Sequence, residues 1–341
     1  MKRKRTYSRR LVFAVLLVLM VLTFLAGVVV GPVHIPISDA LSYLLRRGIS
    51  ADGSPSVFYL IISQIRLPRV LLGLLVGCAL AISGGTMQGL FRNPLASPYV
   101  LGIASGASTG AALVMLMNLH GVFFLPLGAF VGGALAVGII YRLAQERGKK
   151  TSVYTLILAG VAVGALFSAV TSFIIFLSSG TERMTDLIFW IMGGLVRANW
   201  TYVCVLFPIV AFGSLVLMAF SRDLNALAVG EEGAFHLGIN PEMSKRVMLS
   251  VVTLLTSSAV AFAGTIGFVG LIIPHIMRLI MGPDHRFLLP ATAIAGAIFL
   301  VWADMAARTV VRPAELPVGI ITAFLGAPFF LYLLKAKKAR M

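Results

Sequence analysis

The side chains able to carry proton transfer, nucleophilic attack or metal ligation are few and scattered. The acidic residues are Asp39, Asp52, Glu146, Glu182, Asp186, Asp223, Glu231, Glu232, Glu242, Asp284, Asp304 and Glu315. Each falls in a loop or at the end of an apolar run. None stands mid-run, where an ion-coupled carrier keeps its coupling carboxylate. His34, His120, His236, His275 and His285 show no paired ligand spacing. Cys78 and Cys204 each lie inside an apolar run and read as small core hydrophobes. No metal site and no cofactor is expected. The nearest approach to a phosphate loop is Gly148-Lys149-Lys150-Thr151. Such a loop needs Gly five residues ahead of its Gly-Lys pair and Ser or Thr directly after it; Leu143 and Lys150 stand there instead. No catalytic constellation emerges, and energy for any work is expected from outside the chain.

The elements that carry these residues are dictated by lipid. Of 341 residues, 59% are hydrophobic and only 12% charged, with a mean hydropathy of +0.99. Soluble domains carry about 25% charged residues, and no soluble fold hides this much apolar surface. A bilayer-spanning helix needs about 20 mostly apolar residues. Breaks at charged or Pro/Gly-rich points divide the chain into about ten such spans, near 11–30, 67–90, 97–118, 122–141, 152–177, 200–220, 246–265, 266–281, 287–306 and 316–334. The first run exceeds the core of a signal peptide and reads as an uncleaved span. The expected fold is an all-α polytopic membrane protein, a single transmembrane domain over residues 1–341. The run from Val247 to Met281 is broken only by Gly264, Gly267, Gly270 and Pro274. Read as one kinked helix, it would put the termini on opposite sides.

The net charge of +16 does not point to nucleic acid, because Lys and Arg cluster at the ends of apolar runs. With an even span count the outside holds only Arg46, Arg47, Arg66, Arg69, Arg183, Arg197, Arg308 and Arg312. The remaining cations, including the basic tails 1–10 and 335–341, fall inside. Both termini are therefore expected in the cytoplasm. Gly73, Gly77, Gly84 and Gly85, and then Gly102, Gly106 and Gly110, recur along two spans as in close helix packing. The inside loop holds two short apolar-studded segments, Leu224, Ala226, Leu227 and Ala228, then Ala234, Phe235 and Leu237, around Gly230-Glu231-Glu232-Gly233. An amphipathic helix there fits either a groove on a partner protein or the lipid interface.

Several longer motifs carry a resemblance. They are Arg66-Leu67-Pro68-Arg69, Ala79-Leu80-Ala81-Ile82-Ser83-Gly84-Gly85, Asn93-Pro94-Leu95-Ala96, Trp190-Ile191-Met192-Gly193-Gly194, Gly264-Thr265-Ile266-Gly267-Phe268-Val269-Gly270, Asp304-Met305-Ala306-Ala307-Arg308 and Glu315-Leu316-Pro317. In that order, from about residue 60 onward, the chain resembles the FecCD-type permeases of ABC importers, which bring in ferric siderophores, haem and cobalamin.

The resemblance implies ten helices per subunit and a second permease copy, usually identical. It also implies two cytoplasmic ATPase subunits, where ATP hydrolysis would take place, and an extracytoplasmic substrate-binding protein. It assigns binding-protein docking to Arg66, Arg69 and Arg308, since arginine grips carboxylates with two hydrogen bonds. Asp304 and Arg308, four apart, could equally be a local helix pair. It makes the segment 224–237 the ATPase coupling element, with Leu224, Ala226, Leu227, Gly230, Glu231, Phe235 and Leu237 as its residues. Cytoplasmic gates are implied at Asn93, Leu95, Thr151 and Ser152, where Thr and Ser could also be helix N-caps. Met184, Trp190 and Gly193 would line the outer pathway. The expected function is inward movement of a ferric siderophore across the cytoplasmic membrane. Cobalamin and haem are the alternative cargoes, and a carrier or channel without ATPases is the rival class.

Overall fold

The computed structural model describes residues 8–33, 57–145, 153–311 and 313–338. All regular structure among them is helical. In chain order the helices are α1 (Arg9–Val29), α2 (Val57–Leu90), α3 (Ile103–Leu116), α4 (Phe124–Ala144), α5 (Val153–Leu177), α6 (Glu182–Ile191), α7 (Trp200–Ala219), α8 (Ser221–Val229), α9 (Glu231–His236), α10 (Pro241–Ala263), α11 (Val269–Met281), α12 (His285–Ala307) and α13 (Val318–Lys338). Among the described residues α1, α2, α4, α5, α7, α10 and α12 are long and apolar enough to cross a membrane, while α3, α11 and α13 give shorter apolar helices. In hydrocarbon every backbone N–H and C=O needs an internal partner, which a helix supplies from its own chain.

Burial orders these helices into a centre and a periphery. Along their most apolar stretches α2, α10 and α12 are 78%, 72% and 67% buried, whereas α1 and α5 are only 22%. The central helices meet at small residues. A Cβ on Gly77 of α2 would lie 2.3 Å from the carbonyl oxygen of Gly296 in α12, and one on Gly84 would lie 1.8 Å from that of Gly270 in α11. Gly106 and Gly110 of α3 cross Gly132 and Gly128 of α4 in the same way, at 2.4 and 2.0 Å. The four-residue glycine spacing is thus a packing device, and any larger residue forces the backbones apart.

The helix boundaries depart from the hydropathy reading in instructive places. Helix α2 begins at Val57, ten residues ahead of the expected span, and runs through a π-helical turn at Ile61–Arg66. Pro68 offers no N–H to the preceding turn, and the widened ladder accommodates the loss. The expected span 97–118 is a 3₁₀ turn at Pro98–Leu101 followed by α3, with Gly102 left-handed at φ 64° between them. The stretch from Val247 to Met281 is two helices, α10 and α11. They are parted at Gly264, whose φ of 67° and ψ of −166° suit only glycine.

Candidate functional site

At the C-terminal end of α12 the structure gathers Arg66, Arg69, Arg308, Asp304 and Glu315 into one network. Arg69 donates to Asp304 through Nε (3.0 Å) and Nη2 (2.8 Å), and to Glu315 through Nη1 (2.9 Å). Arg308 lies 3.3 Å from Asp304 Oδ2, the helix pair anticipated from the i,i+4 spacing, and also donates to the Gly27 carbonyl at 3.0 Å. Arg66 donates to the carbonyls of Val28 (2.9 Å), Val29 (2.5 Å) and Val33. Arg66 and Arg308 thereby satisfy last-turn carbonyls of α1 that have no partner within the helix. The three arginines are only 3%, 6% and 2% exposed, in chain order. Sequence reasoning set Arg66 outside a span because a cation marks a loop. It lies within a helix because backbone acceptors from α1 replace water.

Beside the network lies a wall built from short polar contacts. Gly194 N–H donates to the Ala263 carbonyl at 2.8 Å, and Thr265 Oγ1 donates to the Ile191 carbonyl. Gly193, at φ 73°, could not bear a side chain, since its Cβ would lie 2.5 Å from the Thr265 carbonyl. Tyr99 donates its phenol to the Ile266 carbonyl at 2.8 Å. The end of α6 is thus stitched to the α10–α11 linker, Gly264–Phe268. A cavity of about 240 Å³ opens here, lined by Trp190, Gly193, Arg197, Asp186, Glu315 and Phe262 among others. Trp190 is buried and Met184 is partly buried on α6. Among the described residues no ion pair reaches the exposed Arg183 and Arg197, which share a neighbouring cavity of about 290 Å³ with His120 and Asp186.

The opposite end of α12 carries the second polar cluster. Helices α8 and α9 meet at Gly230, whose φ of 138° and ψ of 157° bend the chain as only glycine can. Leu224, Ala226 and Leu227 are buried at 0%, 8% and 3% exposure and anchor α8 to its own chain. Among the described residues, Val229, Phe235 and Leu237 are left 79%, 69% and 69% exposed. The expected coupling residues therefore divide into an anchoring set and a presenting set. Glu231 pairs with Lys245 at 2.7 Å, and Ser244 donates to Asp223, so both short helices are tied to the start of α10.

Asn225 ties α8 to α12. Its amide donates to Asp284 Oδ1 at 2.8 Å, and its carbonyl oxygen accepts from the His285 backbone N–H at 2.9 Å. Asp284 also caps α12 and receives Arg286 Nη2 at 2.8 Å; these hydrogen bonds, Arg286 first, hold its carboxyl well below the usual carboxylate range. Nothing in the sequence announced Asn225 or Asp284. Asn93 and Leu95 share a tight turn at the end of α2, where the Leu95 N–H donates to the Asn93 side chain at 2.9 Å; both side chains are exposed. Thr151 and Ser152 lie outside the described residues, as do residues 1–7 and 339–341 of the basic tails.

Long apolar helices, small-residue crossings and charged clusters at the two ends of α12 define a multi-span membrane protein. Residues 18–336 match the FecCD transport family, and the chain belongs to it. The cobalamin import system permease protein BtuC of Halobacterium salinarum is 46% identical over 288 residues, which cover 84% of this chain and 77% of that protein. The hemin transport system permease protein HmuU of Yersinia pestis is 38% identical over 330 residues, 95% of each chain. The fold matches a solved inward-facing transporter assigned to the metal-chelate type of ABC transporters, with a TM-score of 0.83 and 31% identity. That match covers 96% of this chain and all of the other.

Proposed function

We propose that the chain is the permease subunit of an ATP-driven importer for a bulky metal chelate, acting in the cytoplasmic membrane as one of two copies. The observation that carries this is the α8–α9 hairpin. It presents Val229, Phe235 and Leu237 to the surface while its other face is clamped to α10 and α12. A hairpin that only rested on lipid would have no use for rigid ties to two spans. An ATPase that grips it can move them. The seven long and three shorter apolar helices make ten spans, with the hairpin and both termini in the cytoplasm.

The arginine network then lies on the outer side, where an extracytoplasmic binding protein docks. Because Arg66, Arg69 and Arg308 already hold partners within the chain, docking on them is an exchange. An incoming carboxylate displaces Glu315, whose side chain is 26% exposed, from Arg69. Arg183 and Arg197 widen the same cationic face. Asn93 and Leu95, with Thr151 and Ser152, form the cytoplasmic gate, while Met184, Trp190 and Gly193 line the outer pathway.

The cargo is a ferric siderophore in the first reading. Cobalamin is the second, favoured by the 46% identity to a cobalamin permease. Affinity purification of the tagged chain from its native membrane tests the assembly. Recovery of an ATPase and a binding protein supports it, and the ligand carried by that binding protein names the cargo. Recovery of the chain alone, together with uptake driven by an ion gradient, would place it among secondary carriers.

A further inference from the structure

Helix α12 is bound to its neighbours at three levels. At its C-terminal end Asp304 holds Arg69 of α2. Midway, Gly296 meets Gly77 of α2 backbone to backbone. At its start the His285 ring abuts Gly89 of α2, where a Cβ would lie 2.6 Å from Nε2. The 23 residues of α12 span about 35 Å, so α2 and α12 form a strut connecting the two polar ends. Only one side chain joins this strut to the α8–α9 hairpin by hydrogen bonds to Asp284 and His285 among the described residues. That residue is Asn225, which uses both ends of its amide: the nitrogen on Asp284, and the oxygen on the backbone N–H and ring Nδ1 of His285 (2.8 Å for the latter). Leu224, next to it, packs over Gly89.

We propose that Asn225 is a positioning residue for transport. It passes displacement of the α2–α12 strut to the coupling hairpin, so that docking at the Arg69–Asp304 end sets the rate of ATP hydrolysis at the other. The assignment holds only if α8–α9 is the ATPase seat. Coupling between distant sites requires an element that both sites bias, and the strut with its clamp is such an element. An aspartate at 225 would turn an oxygen toward Asp284 Oδ1 in place of the donating nitrogen, and the clamp would open. An asparagine at 284 restores a donor there when its amide nitrogen takes the place of Oδ1, at the expense of the cap that Oδ1 accepts from the Arg286 N–H.

The test uses the complete complex of permease, ATPase and binding protein, reconstituted in liposomes. It compares wild type, Asn225→Asp, and Asn225→Asp with Asp284→Asn. In Asn225→Asp the stimulation of ATP hydrolysis by loaded binding protein is expected to fall roughly tenfold, within the range of measured couplings between sites. Stimulation is read as the ratio of stimulated to basal hydrolysis in each variant, and the exchanged pair is expected to recover it. Undiminished stimulation in Asn225→Asp would overturn the clamp while leaving the ATPase seat intact, as would a loss that the exchanged pair fails to rescue. Failure of the wild-type chain to hold an ATPase at all would overturn the seat, and the clamp with it.

Discussion

Asp304 is 1% exposed and neutralises two arginines at once, Arg69 at 2.8 Å and Arg308 at 3.3 Å. Replacing it with asparagine keeps the shape and leaves two buried cations without their shared counter-charge. Breaking a buried pair from one side costs about 3–5 kcal/mol. Among the described residues Glu315 forms its ion pair with Arg69, and its side chain is 26% exposed. Water can replace it, so Glu315→Gln is expected to cost about 1 kcal/mol, the scale of exposed pairs. Thermal unfolding of the purified protein in detergent should therefore rank Asp304→Asn far below Glu315→Gln. Pairing Asp304→Asn with Arg308→Met should recover part of the loss, because removing both members of a buried pair is close to neutral. The exchange picture adds an opposite sign for Glu315→Gln in function. With its competitor gone, Arg69 should bind the binding protein more tightly, as read by surface plasmon resonance on reconstituted complex. Equal destabilisation by the two substitutions would refute the burial argument, and weaker docking in Glu315→Gln would refute the exchange.

Other outcomes follow from particular contacts. Phe235→Asp should weaken ATPase binding by roughly tenfold to a hundredfold, the equivalent of about 1.5–3 kcal/mol for a buried aromatic, as measured by titrating ATPase onto the permease; unchanged affinity would return the hairpin to the lipid surface. Gly84→Ala places a methyl 1.8 Å from the Gly270 carbonyl and should lower stability by about 1–3 kcal/mol through forced separation of α2 and α11; an unchanged melting temperature would contradict that crossing. The folded Asp284 carboxyl titrates below its unfolded value of about 3.9. Its contribution to stability is thus fully present above that value and is lost as pH falls through the folded one. Transport between about pH 5 and 8 should show no inflection from this group, and one that disappears in Asp284→Asn would contradict its assignment.

The spans were legible where lipid alone decides. The apolar runs at 11–30, 152–177 and 200–220 correspond closely to α1, α5 and α7, since hydropathy and length report the solvent directly. Glycine spacing was equally readable, because Gly106 and Gly110 stand one turn apart and can only face one neighbour. Where the protein itself replaces the solvent, the signal inverts. Arg66 looked like a loop cation and Arg69 like a cation at the edge of a span, yet α2 begins ahead of both because acceptors from residues distant in sequence surround them. Of the 224–237 segment, composition showed an apolar character but not its direction. Leu224 and Leu227 face the chain while Phe235 and Leu237 face away, a division set by the turn at Gly230 and by Asn225 holding α8 down. A long-range contact such as Asn225 with Asp284 leaves no local pattern at either residue.

The most direct test of the central claim is uptake into liposomes holding the permease, its ATPase and the binding protein. The chelate is offered with the components omitted one at a time. Uptake that requires ATP inside, loaded binding protein outside, and the Phe235 face intact is the predicted result. Uptake by the permease alone along an ion gradient, indifferent to ATP and to Phe235→Asp, would contradict it.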